Sequence, residues 1–277
     1  MARRQEDLMN GASSAPDPTR PTARPAPLPA GPLGLDDVAA LGTVLSVWAH
    51  PDDESYLAAG TMAALSDAGR RVVSVTATLG EQGVPGLPPR EAARQRHREL
   101  AAALEVLGIH EWHVMGVPDG GCAAADEDAA VADLAGLLVA VEPDTILTFG
   151  PDGMTGHPDH RTVSRWVSRA RQQAAPRARL LHATLTPEQV RAGADITTRF
   201  DVMVDGGEPP QTPRADLAVD VVLAGAALQR KVAALRAHDS QTRGIIAELG
   251  HERYAAWVAE EAFVAAGGQV DIPLDPT

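Results

Sequence analysis

Two periodicities take turns along this chain. Short, nearly unbroken apolar runs rich in β-branched residues occupy 43–50, 70–80, 111–117, 144–150 and 178–185. Between them lie stretches whose apolar residues recur every three or four positions, at 55–69, 90–108, 126–141 and 160–174. The short runs, bounded by Gly, Pro and Asp, predict buried strands, and the longer stretches predict amphipathic helices. The punctuation agrees. Gly69 and Gly108 close two of the helical stretches, and Asp126, Glu127 and Asp128 open a third, where the helix dipole favours negative charge. Such an alternation predicts an α/β fold, a mostly parallel sheet with helices on both faces. The pattern loosens further on: 199–205 and 217–222 read as strands, and 223–238 and 251–267 as helices. With no linker before it, this region extends the same domain, expected over 35–277, and no internal repeat is present. Residues 1–34, rich in Pro, Ala and Ser and lacking apolar periodicity, read as a disordered tail.

Composition narrows the classes of function. The chain has 277 residues and a formal charge of −13. Its basic clusters, around Arg70, Arg94 to Arg98 and Arg165 to Arg171, read as helix faces rather than as a phosphate track, so no nucleic-acid partner is expected. A single cysteine, Cys122, excludes an internal disulfide and a cysteine-based zinc knuckle, which suits a reducing compartment. No apolar run approaches the roughly 18–20 residues of a membrane span, and the first residues carry no apolar core of a secretory signal. The expectation is a soluble, cytoplasmic protein with no membrane partner.

In an open α/β sheet, ligands bind beyond the carboxyl ends of the strands, where the strand order reverses. The first strand ends in His50-Pro51-Asp52-Asp53-Glu54, the second in Gly80-Glu81-Gln82-Gly83, the third in Pro118-Asp119-Gly120 and the fourth in residues 150–160, GPDGMTGHPDH. A strand order of 3-2-1-4-5 would set the first and fourth strands side by side, with their two His/Asp clusters facing one crevice. His50 and Asp53 are three apart, as are His157 and His160. Two imidazoles and one carboxylate with an open position suit catalytic zinc, and equally a non-haem Fe2+ centre. A further acid beside the cation, Asp52 or Glu54, could take a proton from water. The three consecutive acids then have a reason, since the cation offsets their repulsion. His97, His110, His113, His182 and His251 read as ordinary core or surface residues, and Cys122 as structural. No G-x-G-x-x-G follows the first strand, which argues against a dinucleotide.

AHPDDE at 49–54 together with HPDH at 157–160 resembles the LmbE-like family, also called the GlcNAc-phosphatidylinositol de-N-acetylase family. TLGEQG at 78–83, RHRELAAALEVLG at 96–108, PDG at 118–120 and KVAALRAHDSQ at 231–241 are similar to family segments as well. The resemblance implies a Rossmann-like α/β fold and a zinc-dependent hydrolase that removes an N-acetyl group from a small amino-sugar conjugate, such as an N-acetylglucosamine derivative. It implies zinc on His50, Asp53 and His160, Asp52 as general base, His157 as the polarising or protonating group and Asp159 orienting a histidine. Glu54 then falls to a structural place at the helix start, where its charge meets the N-terminal dipole. Arg96, Glu81 and Asp119 become substrate-binding candidates; the sequence leaves the oligomeric state open, a homo-oligomer included. One position departs: Thr155 stands where the mycothiol-type deacetylases carry tyrosine, so a tyrosine oxyanion role does not transfer. The rival readings are an amidase cleaving a thiol conjugate such as a mycothiol S-conjugate, a non-haem iron oxygenase, and an inactive binding protein. The H-x-x-D spacing and α/β rhythm count against the oxygenase, and the complete set of ligands and base counts against the inactive protein.

Overall fold

The computed structural model describes residues 28–29 and 31–267. Most of the expected tail therefore lies outside the described residues, but its end belongs to the fold. Leu33 is buried, donates its N–H to Ala218 O at 2.9 Å and accepts from Asp220 N at 2.9 Å. Flanked by Pro and Gly, a single anchoring leucine leaves no periodic signal.

Seven strands form one sheet in the order β3-β2-β1-β4-β5-β7-β6. They are β1 Val44–Trp48, β2 Val72–Thr76, β3 Glu111–Val114, β4 Thr145–Phe149, β5 Arg179–Thr184, β6 Val219–Val222 and β7 Glu260–Ala265. The first five are mutually parallel in the expected 3-2-1-4-5 order, and β7 joins antiparallel to both β5 and β6. Every residue of β1, β2 and β4 is buried, which is why they read as continuous apolar runs rather than alternating ones. Parallel neighbours require crossover connections, and helices supply them. α1 Asp53–Leu57, α2 Ala59–Asp67 and α3 Pro89–Leu107 connect the first three strands and pack with α7 Gly225–Ala237, while α4 Glu127–Val141 and α5 Pro158–Ala174 pack on each other. The topology reverses between β1 and β4, and both strands deliver their carboxyl ends to one crevice.

Three expectations change. The helix expected over 55–69 is broken at Ala58 into α1 and α2, and Glu261 of β7 crosses over to accept from Gly60 N at 2.7 Å and Thr61 N at 2.8 Å, capping the restart. The expected strand 199–205 is instead the end of α6, Pro187–Arg199, followed by a turn and a short 3-10 segment; Thr186 and Gln189 form a capping box that starts this helix. The expected helix 251–267 divides into α9 His251–Trp257 and strand β7. The run Glu260-Glu261-Ala262-Phe263 suits a helix locally, but tertiary partners decide it: Phe263 is buried, and Glu261 meets Lys231 Nζ at 2.9 Å with both side chains fully buried. A further helix, α8 Asp239–Leu249, has no counterpart in the sequence pattern. No described helix is long and apolar enough to cross a membrane.

Candidate metal centre and active site

The turn after β1 carries three acids, and each faces a different partner. Asp53 Oδ2 lies 3.6 Å from His50 Nδ1, and its Oδ1 lies 3.5 Å from His160 Nε2. Asp52 Oδ2 lies 3.4 Å from the Arg96 guanidinium. Glu54, wholly buried, accepts from His238 Nε2 at 2.8 Å. Its structural place at the helix start is thus held by more than the dipole, through a partner from the far end of the chain. Repulsion within the run is resolved one acid at a time.

The turn after β4 is built locally. His157 is the N-cap of α5 and its Nδ1 accepts from Asp159 N at 3.2 Å; Pro158, lacking an N–H, takes the first helical position. His160, one turn in, donates Nδ1–H to Gly153 O at 2.9 Å, leaving its Nε2 lone pair pointing into the crevice. That ring also stacks on Phe149, centroids 4.1 Å apart, which holds its plane.

The hydrogen bonds fix the tautomers. His50 Nε2 faces Asp119 Oδ1 at 3.2 Å and Asp159 Oδ2 at 3.3 Å, so it carries the proton and Nδ1 carries the lone pair. A charged His50 also carries a proton on Nδ1 and donates it to His160 Nε2 at 3.1 Å; a bound cation would take the place of that proton between the two nitrogens. His50 Nδ1 and His160 Nε2 lie 3.1 Å apart, and Asp53 presents Oδ1 to His160 at 3.5 Å and Oδ2 to His50 at 3.6 Å, a different oxygen to each ring. Zinc bonds of 2.0–2.2 Å at tetrahedral angles separate donors by about 3.3–3.6 Å, close to these spacings; among the described residues, His50, His157 and His160, and also His50, Asp119 and Asp159, each bring one donor atom apiece within 4.8 Å of one another. Electrostatics agree. Burial works to lower the His50 pKa, yet Asp119, Asp159 and Asp53 raise it well above the ordinary histidine value. Burial works to raise Asp53, yet His160 and His50 hold it well below the carboxylate range. This cluster is arranged around positive charge. His157 also reaches within 4.8 Å of His50 and His160, but its Nδ1 is engaged by Asp159 N, so in neutral form its Nε2 holds a proton and is a donor. Burial, then the charge on His50, lowers its pKa and keeps it neutral.

Asp159 is fully buried and ties the site together: its oxygens accept from Gly120 N at 2.8 Å, Cys122 N at 3.1 Å and His50 Nε2. Carboxylates of this kind orient a ligating imidazole and raise its basicity. Asp119 lies beside it on the loop after β3, accepts from Gln82 N at 2.9 Å, and donates its own N–H to Glu81 Oε1 at 3.0 Å. Glu81 and Asp119, expected to contact substrate, thereby lock two crevice loops to each other. Arg96, also expected on substrate, is 3 % exposed, with its guanidinium donating to Pro51 O and facing Asp52. The glycines of TLGEQG make room for it: a Cβ on Gly80 or Gly83 would lie 3.0 or 2.7 Å from the guanidinium. Cys122 is buried, and burial and Asp159 push its thiol up, which makes it an inert packing residue.

Asp52 itself is strained. Its φ of 115° is in a region L-residues avoid, at a cost of about 1–3 kcal/mol. Burial, opposed by Arg96 and assisted by Asp53, pushes its carboxyl up to about 6. His238 is a residue that sequence reasoning gives no role. The signal available is its place in KVAALRAHDSQ, where a lone histidine on an amphipathic helix reads as core.

Two neighbouring parallel strands ending in His/Asp turns and an adjacent strained carboxylate define an α/β protein with a candidate metal site at the carboxyl end of its sheet. Comparison with known proteins places it further. The family model for GlcNAc-PI de-N-acetylase matches residues 45–171. The 1D-myo-inositol 2-acetamido-2-deoxy-α-D-glucopyranoside deacetylase of Nakamurella multipartita is 35% identical over 272 residues, covering 84% of this chain and 92% of that protein. The chain belongs to the GlcNAc-PI de-N-acetylase family. Among solved structures, N,N'-diacetylchitobiose deacetylase from Pyrococcus horikoshii superposes with a TM-score of 0.57 at 20% identity, over 84% of this chain and 88% of that one. GalB, the 4-carboxy-2-hydroxymuconate hydratase of Pseudomonas putida, shares the fold too, with a TM-score of 0.51 at 19% identity over 84% and 99%. Architecture alone therefore does not specify the reaction, and the site has to.

Proposed function

We propose that this chain is a zinc-dependent N-deacetylase of a small amino-sugar conjugate, with the N-acetylglucosaminyl inositol of its relatives as the first substrate to test. The observation that carries this reading is the His50 and His160 nitrogens 3.1 Å apart, with Asp53 offering one oxygen to each ring and Asp52 adjacent. His50, Asp53 and His160 hold the ion, which when bound polarises the acyl carbonyl and makes its water acidic. Asp52, ionised above about 6, accepts the proton as the water oxygen attacks the acetyl carbon. Arg96 keeps that carboxylate charged and in place from behind. His157, neutral with its proton on Nε2, donates a hydrogen bond to the oxygen that gathers negative charge. The proton held by Asp52 then passes to the departing nitrogen, the C–N bond breaks, and acetate and a free amine leave. Thr155 has too short a side chain to take over an aromatic hydroxyl's part, and its Oγ1 lies 3.4 Å from His160 Nδ1, so the oxyanion role rests on His157.

The deacetylase reading is preferred to the thiol-conjugate amidase because the Nakamurella multipartita relative, 35% identical, is a deacetylase. The test is to incubate the zinc-loaded protein with the N-acetylglucosaminyl inositol and with a mycothiol S-conjugate, and quantify acetate and free amine. The expected outcome is one acetate per amine from the first and no cleavage of the second. Cleavage of the conjugate amide without acetate would overturn the reading.

A further inference from the structure

His238 occupies the junction between α7 and α8, and its place there is rigid. Its carbonyl accepts from Gln241 N at 2.9 Å and Thr242 N at 3.0 Å, and its side chain is fully buried. From this fixed point Nε2 reaches Glu54 Oε1 at 2.8 Å. The other oxygen of Glu54 accepts the backbone N–H of Asp52 at 3.0 Å. Ser55 Oγ donates to Oε1 at 2.7 Å, which completes the partners of that buried carboxylate among the described residues. Because the acceptor of the Asp52 N–H belongs to a residue two positions further on, that bond closes a ring that contains the N–Cα bond of Asp52, and so restrains the rotation that is strained there, φ 115°. The Asp52 carboxylate swings on the same axis, so a turn of about 30° displaces it by about 1 Å, a misplacement that can cost about 10²-fold in rate. The same helix braces the far end of this segment: Lys231, seven positions earlier, bonds Tyr56 O at 2.7 Å and Glu261, the carboxylate that caps the start of α2.

We propose that His238, acting through Glu54, is a positioning residue that sets the backbone torsion of Asp52 and thereby aims the base. This rests on the reading of Asp52 as base. The test is a set of zinc-loaded variants assayed for acetate release from the N-acetylglucosaminyl inositol, with zinc content and melting temperature measured alongside. His238→Ala should lower kcat by ~10–10²-fold with KM within about twofold and zinc retained. His238→Gln, whose amide nitrogen falls near the former Nε2, should recover most of that loss. In an Asp52→Asn background His238→Ala should cost less than ~3-fold more, because the group being aimed has gone. Equal losses in both backgrounds, or a His238→Ala enzyme within about twofold of the parent, would overturn the proposal. Should His238→Ala not fold, His238→Asn, too short to reach Glu54, takes its place under the same criteria. If Asp52→Asn proves fully active, it is the base reading that fails. The crystal structure of the alanine variant then decides the positioning alone: a changed Asp52 φ supports it and an unchanged one refutes it.

Discussion

The turns after β1 and β4 use the same letters and opposite engineering. HPDH is self-sufficient. His157 caps its own helix, Pro158 fits the first turn, and His160 is steered by Gly153 a few residues back. HPDDE is held from afar. Asp52 needs Arg96 from α3 and sits at a positive φ, and Glu54 needs His238, 184 positions away. The contrast is one of chemistry. A metal ligand requires only a lone pair aimed at a point, which a helix start supplies with little conformational strain. On the proposed assignment the base stands beside the ion without binding it, and the positive φ of Asp52, with its distant supports, turns that carboxylate aside from Asp53.

The comparison can be broken at three points, in falling order of effect. Replacing His160 by Ala removes a ligand from the self-sufficient turn. Zinc and activity should both be lost, read by metal analysis and acetate release, with the melting temperature of the zinc-free protein lowered by the loss of the Phe149 stack and the Gly153 hydrogen bond. Arg96→Met acts on the supported turn. It leaves the half-buried Asp52 without its cation, which should lower stability by chemical denaturation. It also has a pH signature. Arg96 lowers the Asp52 pKa, so its removal moves that pKa above about 6. Base activity exists above the pKa and falls away below it, so the acid limb of kcat/KM should shift to higher pH relative to the parent. Asp159→Asn is the mildest. An amide cannot accept from Gly120 N, Cys122 N and His50 Nε2 together, and zinc affinity should weaken by about 10–100-fold. A competition titration with a chelator measures it.

Legibility in the sequence follows the same divide. The five parallel strands are readable because strands buried on both faces leave continuous apolar runs, and the topology brings both His/Asp clusters to one crevice as the expected strand order requires. His50 and Asp53, and likewise His157 and His160, announce themselves by spacing, although which acid ligates comes only with the family resemblance. What the sequence hides depends on pairs far apart in the chain. Nothing local to Arg96 shows that two glycines and Pro51 O enclose its guanidinium. Nothing near residue 260 shows that Glu261 is neutralised by Lys231 and turns a helical-looking run into a strand. His238 escapes notice for the same reason.

The division of labour between two adjacent aspartates is the centre of this mechanism, and one measurement addresses it directly: zinc stoichiometry and acetate release for Asp52→Asn and Asp53→Asn side by side. Asp52→Asn should keep one zinc per chain and lose about 10²–10⁴ in kcat, while Asp53→Asn should lose the zinc. If instead Asp52→Asn came out metal-free and Asp53→Asn kept its zinc, ligand and base would have to be exchanged.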